Sequence, residues 1–582
     1  MQAGKAGLQT GYTGWSADKD GQQRGWTGDQ NGSGKGNRKV KVLIIGGVAA
    51  GTKVAAKLKR EDFGAEVTIL TMGKDISYAG CGLPYYVGNV IRDKGQLIVN
   101  TPASFEKLTG VQVVTETEVV KVNREEKTVE AVSTATGERS VHSYDKLVIA
   151  TGASPIKPPL PGMDLDGIYF MRTPQDAIAL RERIEAGGAK RAVVVGGGFI
   201  GLEVAENLLA QGLKVSVIDM ADHVLPGFDP EVAEYVENHL ADKGIMTFTK
   251  TRLEGFLGEG KLEKVQTSRR AMKADVAVLS IGIRPNTGFL ADSGIELMPN
   301  KTVKVDAYFQ TNDENIYAVG DCAMVTNRET GQPAWSPMGS SANMEGRLLA
   351  ETLAGNKKPY PGVLGTAVCR LPGLNAGRTG LSMEQAKSAG YDPVSVVTVV
   401  DDKAHYYPGA GNFIVKMIAD RPTGKFLGIQ VLGPGEVDKM VDIAVTALTM
   451  KASVADLENM DLAYAPPFST AIHPFVHTVN VLLNKMSGAF ETMTPEKFAA
   501  GAAEGYQIVD AAVQPSLKNA PYIDLTKIDG PVDGFDRDAK LLLVCTKGKR
   551  AYMVQNRLKY FGYTNTKVLE GGATFNQVEE EE

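Results

Sequence analysis

One pattern occurs twice in this chain. Val40-Lys41-Val42-Leu43-Ile44-Ile45 is an apolar run that enters the turn Gly46-Gly47-Val48-Ala49-Ala50-Gly51. A helical pattern follows from Thr52 to Arg60, and a second strand pattern covers Val67 to Leu70. Further on, Arg191-Ala192-Val193-Val194-Val195 enters Gly196-Gly197-Gly198-Phe199-Ile200-Gly201, with a helical pattern from Leu202 to Gln211 and a strand pattern from Lys214 to Asp219. Strand, glycine turn, helix and strand in this order form a βαβ unit, whose helix N-terminus presents unpaired N–H groups to a phosphate. Two such units predict an α/β chain with two Rossmann-like dinucleotide-binding domains.

The second unit is complete. Gly196 permits the tight turn, Gly198 lets the backbone approach a pyrophosphate, and Gly201 allows close helix–strand packing. Phe199 and Ile200 open the helix on which the phosphates would rest. Asp219 ends the second strand, where a carboxylate binds ribose hydroxyls and repels a 2′-phosphate. NADH is therefore expected ahead of NADPH. The first unit departs from this rule: Val48 stands at the central glycine position, and Thr71 stands where the ribose-binding acid belongs.

Composition narrows the remaining classes. A chain of 582 residues predicts about four domains. A net charge of -5 argues against a nucleic-acid or anionic-membrane binder. No apolar run approaches the roughly 18 residues of a membrane span. The four cysteines, Cys81, Cys322, Cys369 and Cys545, lie too far apart for a CxxC metal pair or a secreted disulfide framework. Reduced thiols predict a cytoplasmic protein. Residues 1–38, with ten glycines and the tryptophans Trp15 and Trp26, read as a disordered tail or a docking element.

Leu147-Val148-Ile149-Ala150-Thr151-Gly152 and Asn315-Ile316-Tyr317-Ala318-Val319-Gly320-Asp321 are apolar strands that end in small turns. They resemble the two later flavin-domain motifs of the two-dinucleotide-fold flavoproteins, over residues 40 to about 490. The resemblance implies FAD in the first unit, held by Gly46, Gly47, Val48, Ala49, Ala50, Gly51, Thr151, Gly152, Gly282, Gly320 and Asp321, with Asp321 on the ribityl chain.

Ser77-Tyr78-Ala79-Gly80-Cys81-Gly82-Leu83-Pro84-Tyr85-Tyr86 carries a thiol at an expected helix start, where a lowered pKa is predicted. Ile76 and Tyr86 stand five residues to either side, so no cysteine is placed for an internal disulfide at that spacing. Cys81 could pair with a small thiol, become a persulfide or oxidise to a sulfenic acid. The stretch is similar to the signature of coenzyme A-disulfide reductases and related NADH oxidases and polysulfide reductases. That resemblance implies a homodimer in which Tyr406 and Tyr464 reach the partner's active site. It also implies Ser77 and Asn343 near the substrate, and Lys57 and Arg60 gripping coenzyme A phosphates. This chain departs at Gly80, where the family has asparagine. It departs again at His473-Pro474, which suggests an acid/base histidine. His473 and His477 alone are too few for a metal site.

Leu541-Leu542-Leu543-Val544 delivers Cys545 to Thr546-Lys547-Gly548-Lys549-Arg550, then a helix. This resembles the rhodanese loop, in which Cys545 would carry sulfane sulfur and Arg550 would clamp the loop or the substrate anion. Asp510 would mark the first strand of that segment. The segment is shorter than a full rhodanese module, so an inactive relic is the alternative. The layout expected is a tail (1–38), an FAD-binding domain (39–155 and 275–350), an NAD-binding domain (156–274), an α+β dimerisation domain (351–495) and a rhodanese-like α/β domain (505–582). The function expected is NADH-dependent reduction of coenzyme A disulfide, coenzyme A persulfide or polysulfide. An NADH oxidase and a non-catalytic redox sensor are the alternatives.

Overall fold

The computed structural model describes residues 39–578. The expected tail, with Trp15 and Trp26, and the last glutamates lie outside the described residues. Val42 to Ile45 are all buried, so this strand has neighbours on both sides and both faces. It lies at the centre of a parallel five-stranded sheet, ordered 316–318, 146–149, 41–45, 66–70, 112–114. Parallel strands covered on both faces read as unbroken apolar runs, as this one does.

The second sheet repeats the plan, in the order 245–248, 214–218, 191–195, 276–279, 168–169, again parallel. The second unit therefore extends beyond residue 274. Val276–Leu279 is buried throughout and pairs with the strand Arg191–Val195, not with the first sheet.

The third sheet is antiparallel, ordered 367–371, 374–380, 426–433, 412–420, 393–401. Helices Val437–Thr449 and Pro474–Met486 turn buried faces toward the core. A fourth sheet closes the chain: 492–493, 566–569, 541–544, 507–510, all parallel. Its outer strand Thr492–Met493 comes from the segment expected to end the dimerisation domain, so the C-terminal module begins earlier than residue 505. One apolar cluster joins the last two sheets, running from Val394, Val415 and Phe475 to Val509, Leu543 and Cys545. Among the described residues no helix is long and apolar enough to cross a membrane.

Candidate active site

The two glycine turns share their geometry. Gly46 has φ +112° and Gly196 φ +110°, a region that L side chains rarely adopt. A Cβ on Gly46 would collide with the Ala150 carbonyl, and one on Gly196 with the Ser280 carbonyl. At the third glycine of each turn, a Cβ on Gly51 would strike the Gly46 carbonyl and one on Gly201 the Gly196 carbonyl. Nothing lies within 4 Å of a Cβ built on Gly198, so space is open above that helix N-terminus. Phe199 and Ile200 begin the helix, which spans Phe199–Ala210. These are cradles that fit two pyrophosphates.

The turns differ where the sequence does. Asp219 accepts from Gly197 N at 2.6 Å and Ala221 N at 2.8 Å, which fixes its carboxylate beside the glycine turn. Thr71 is buried and donates its N–H to the Val114 carbonyl at 2.9 Å, so no carboxylate stands there. Val48, Ala49 and Ala50 form the start of the first helix, Ala49–Glu61, with Val48 as its cap at φ −109°.

Beside the first sheet, Gly320 N donates to Glu345 Oε2 at 2.7 Å. Glu345 is buried, and this pushes its pKa up to about 7, with Asp321 adding to the rise. Asp321 Oδ2 accepts from Arg172 Nη2 at 2.8 Å, and the Asp321 carbonyl accepts from Trp335 Nε1 at 2.9 Å. Gly152, at φ +65°, leaves room for the same guanidinium: a Cβ there would sit 3.5 Å from Arg172 Nη2. Thr151 Oγ1 donates to the Asn286 carbonyl at 2.8 Å, and Gly282 turns beside Ile156 at φ +105°. Glu345 and Arg172 were not singled out in the sequence. Arg172 lies in no motif, and Glu345 reads as one polar residue of an amphipathic helix.

Cys81 sits in the single turn Gly80–Gly82, followed by the helix Leu83–Val87. Ser77, at φ +49°, ties this segment to the first turn through its N–H to the Gly47 carbonyl at 2.9 Å. Cys81 is exposed at the surface, whereas Cys322, Cys369 and Cys545 are buried. The lowered thiol pKa expected from the sequence is not found. Desolvation, then Glu203, then Asp321 push it up, and Arg172 only partly opposes them. A five-residue helix start is too weak to overcome burial and two carboxylates. The N-terminus of the helix Gly339–Leu353 approaches the thiol, since a Cβ on Gly339 would lie 3.7 Å from Cys81 Sγ. Asn343 is exposed one turn on, with Nδ2 donating to the Gly339 carbonyl at 2.8 Å.

Other expected site residues are placed differently. Lys57 is held by Glu61 and, at 3.6 Å, by Glu351, so its ammonium is engaged within the chain and does not stand free for a phosphate. Arg60 is exposed and makes no ion pair among the described residues. Tyr406 and Tyr464 come together, and Tyr464, giving its phenolic proton toward Tyr406, has its pKa raised. They are 66% and 49% exposed, and Phe468 and Ile472, a few residues past Tyr464 in the chain, are 65% and 60% exposed. His473 is buried and caps the helix Pro474–Met486, its Nδ1 accepting from Phe475 N at 3.2 Å. Burial, helped by Lys439, lowers its pKa to about 4, so the ring is neutral near pH 7.

In the C-terminal module, Cys545 Sγ accepts from Ala551 N at 3.4 Å. Gly548, at φ +89°, turns the loop into the helix Lys549–Tyr560. Arg550 donates to the Ala512 carbonyl at 3.0 Å and to Asp524 Oδ1 at 3.1 Å, so it clamps the loop to its neighbours. Asp510 accepts from Ala512 N and Leu517 N, each at 2.9 Å, and organises the turn after its strand. Glu570, also unforeseen, is buried and accepts from Val397 N at 2.9 Å and from Lys485 Nζ. It fastens the module to the antiparallel sheet.

Comparison with known proteins agrees with this geometry. The pyridine nucleotide-disulphide oxidoreductase family matches residues 40–340, and the dimerisation domain of that family matches residues 368–475. An NADH oxidase of Methanocaldococcus jannaschii is 34% identical over 452 residues, covering 77% of this chain and 100% of the relative. An NAD(P)H coenzyme A polysulfide/persulfide reductase of Pyrococcus horikoshii is 34% identical over 447 residues, 77% of this chain and 99% of the relative. The solved NAD-dependent persulfide reductase of A. fulgidus is similar at TM-score 0.87 and 36% identity, over 92% of this chain and 99% of its own. On this fold, these two turns and these matches, the chain belongs to the pyridine nucleotide-disulphide oxidoreductase family, as an oxidoreductase that works with FAD and NAD(P)H.

Proposed function

We propose that this enzyme uses NADH to reduce a disulfide or persulfide of coenzyme A, or a polysulfide, through Cys81 as its one redox thiol. The observation that carries this reading is the exposure of Cys81 beside the first nucleotide turn while the other three cysteines are buried. A lone thiol there has no cysteine of its own to pair with, so its disulfide partner comes from the substrate. Bound FAD would pass an electron pair from NADH to that disulfide. Asp219, fixed beside the second turn, favours NADH over NADPH.

The dimerisation-domain match and the exposure of Tyr406, Tyr464, Phe468 and Ile472 support a homodimer in which the two phenols meet the partner's site. The C-terminal module is read as rhodanese-like, with Cys545 carrying sulfane sulfur. Its support is the parallel sheet that leads into the Cys545 loop, and the Ala551 N–H that donates to the Cys545 sulfur. Anaerobic NADH oxidation with coenzyme A disulfide or polysulfide tests the proposal. Cys81→Ser should abolish turnover of every acceptor, and Cys545→Ser should impair sulfane donors alone. Full activity in Cys81→Ser would overturn the mechanism. Rapid oxygen uptake with no turnover of any disulfide would instead assign an NADH oxidase.

A further inference from the structure

The strand Pro393–Asp401 is the outermost of the antiparallel sheet, so one side of its backbone meets no further strand. The C-terminal module lies on this edge. Glu570 accepts from Val397 N at 2.9 Å, near the middle of the strand. At the end of the strand, Lys547 Nζ donates to Asp401 Oδ1 at 2.6 Å and to Asn412 Oδ1 at 2.7 Å. Asp401 and Asn412 face each other as the last pair of a hairpin, whose strands are Pro393–Asp401 and Asn412–Asp420. The loop they close, residues 402–411, carries the exposed Tyr406 at its middle.

Both sides of this contact are held by their own neighbours. On the hairpin, Asp402 is buried, gives its N–H to the Gly411 carbonyl at 2.9 Å and accepts from Gly411 N at 2.8 Å. The loop is therefore closed just past the Lys547 contact. Tyr407 N donates to the Ala404 carbonyl at 2.8 Å, which turns the chain around Tyr406. On the module, the Cys545 carbonyl accepts from Ala573 N and the Thr546 carbonyl from Thr574 N, each at 3.0 Å. A Cβ on Gly572 would strike the Cys545 carbonyl, so the two segments approach closely. Lys547 thus extends from a backbone that is already pinned. A partly exposed ion pair is ordinarily worth little, because two long side chains lose freedom for a screened attraction. Here one ammonium meets two acceptors, both on short side chains of paired strands, and less freedom is lost.

We infer that Lys547 is a positioning residue for Tyr406, because it ties the loop of Cys545 to the neck of the loop that carries the phenol. The inference rests on the reading of Tyr406 as a phenol that meets the partner's site. It gives the C-terminal module a part in the turnover of every acceptor, including those that hold no sulfane sulfur. The role needs no chemistry at Cys545, and a module that transfers no sulfur would fill it as well.

The test compares Lys547→Met and Lys547→Arg with the wild-type holoenzyme. Methionine keeps most of the stem and loses the ammonium, whereas arginine offers several N–H groups to the same two oxygens. The first readout is hydrogen–deuterium exchange over residues 402–411, which needs no substrate. Exchange should quicken by about threefold to tenfold in Lys547→Met and return close to the wild-type rate in Lys547→Arg. The second readout is anaerobic NADH oxidation with coenzyme A disulfide. There kcat should fall by about threefold to tenfold in Lys547→Met, while NADH reduces the flavin as fast as in wild type. Tyr406→Phe should lower kcat by itself, and adding Lys547→Met to it should bring no further loss. Unchanged exchange in Lys547→Met, or a full additional loss in the double variant, would overturn the inference. Failure of the parent reading looks different: Tyr406→Phe would then turn over at the wild-type rate, with the exchange difference still in place.

Discussion

The first and second nucleotide units are built on the same turn and finished differently. Both place a glycine at φ near +110° against a carbonyl of the neighbouring strand, and both need a glycine where the helix passes that turn. Backbone geometry is thus common to the two. What separates them is side-chain chemistry: an acid fixed beside the glycine turn in the second unit, and a buried threonine at the matching place in the first. The first unit instead carries a cluster of paired charges beside its sheet, in which Arg172 donates to Asp321 and Gly320 N to Glu345. The contrast teaches that the glycine turn sets where a dinucleotide lies, while residues outside the turn decide which one is held and by what part.

The shared backbone is the place to break the comparison hardest. Gly51→Val should yield protein without flavin, read as lost absorbance near 450 nm, because the added carbons meet the Gly46 carbonyl. Gly201→Val should yield flavin-loaded protein that NADH no longer reduces, with kcat/KM down by at least about a hundredfold. If both variants lose the same ligand, the two units have been assigned wrongly. Asp219→Ala comes next. Losing charged hydrogen bonds to a ribose should weaken NADH binding by about tenfold or more and narrow its margin over NADPH, measured by steady-state KM for each.

Thr71→Asp sharpens the contrast from the other side. A carboxylate at the empty position should slow FAD release by about fivefold to tenfold in a dilution assay. Glu345→Gln probes this cluster of the first unit through pH. Its folded pKa is raised, so the neutral carboxyl adds stability that is present below pH 4.5 and lost as pH rises through about 7. Glutamine keeps an acceptor for Gly320 N without the charge. The Tm difference between variant and wild type should therefore be near zero at pH 4.5 and grow to a plateau of about 2 °C in favour of the variant above pH 7. Val48→Gly should do least, costing at most about 1 kcal/mol from added chain freedom at the helix cap.

The turns, Asp219 and both reactive-looking cysteines were legible because each is a local pattern. A glycine turn between strand and helix is written in consecutive residues, and so is the Cys545 loop. The electrostatics of Cys81 were not legible. They come first from burial and then from Glu203 and Asp321, all of which act on the thiol only when the sheets assemble. Lys57 looked free for a phosphate because Glu351, its partner, lies in a helix of another segment. Arg550 had two possible roles in the sequence, and its partners, the Ala512 carbonyl and Asp524, come from segments distant in the chain. The strand Thr492–Met493 is two residues long, too short to carry a periodic signal, and only its pairing with Val568 and Leu569 makes it a strand.

Glu570 gives the C-terminal module its standing in the molecule. Its carboxylate reaches out of the fourth sheet to the backbone of the third, and one apolar cluster passes beneath it from Val394 to Cys545. The Methanocaldococcus and Pyrococcus relatives match only 77% of this chain. A module attached through a common interior cannot be trimmed back to that length by cutting a linker. Removal would uncover apolar residues of the antiparallel sheet and its helices and leave Lys485 without its counter-charge. Addition or loss of this module in the family is therefore a change of architecture, which demands coordinated substitutions on the sheet it covers.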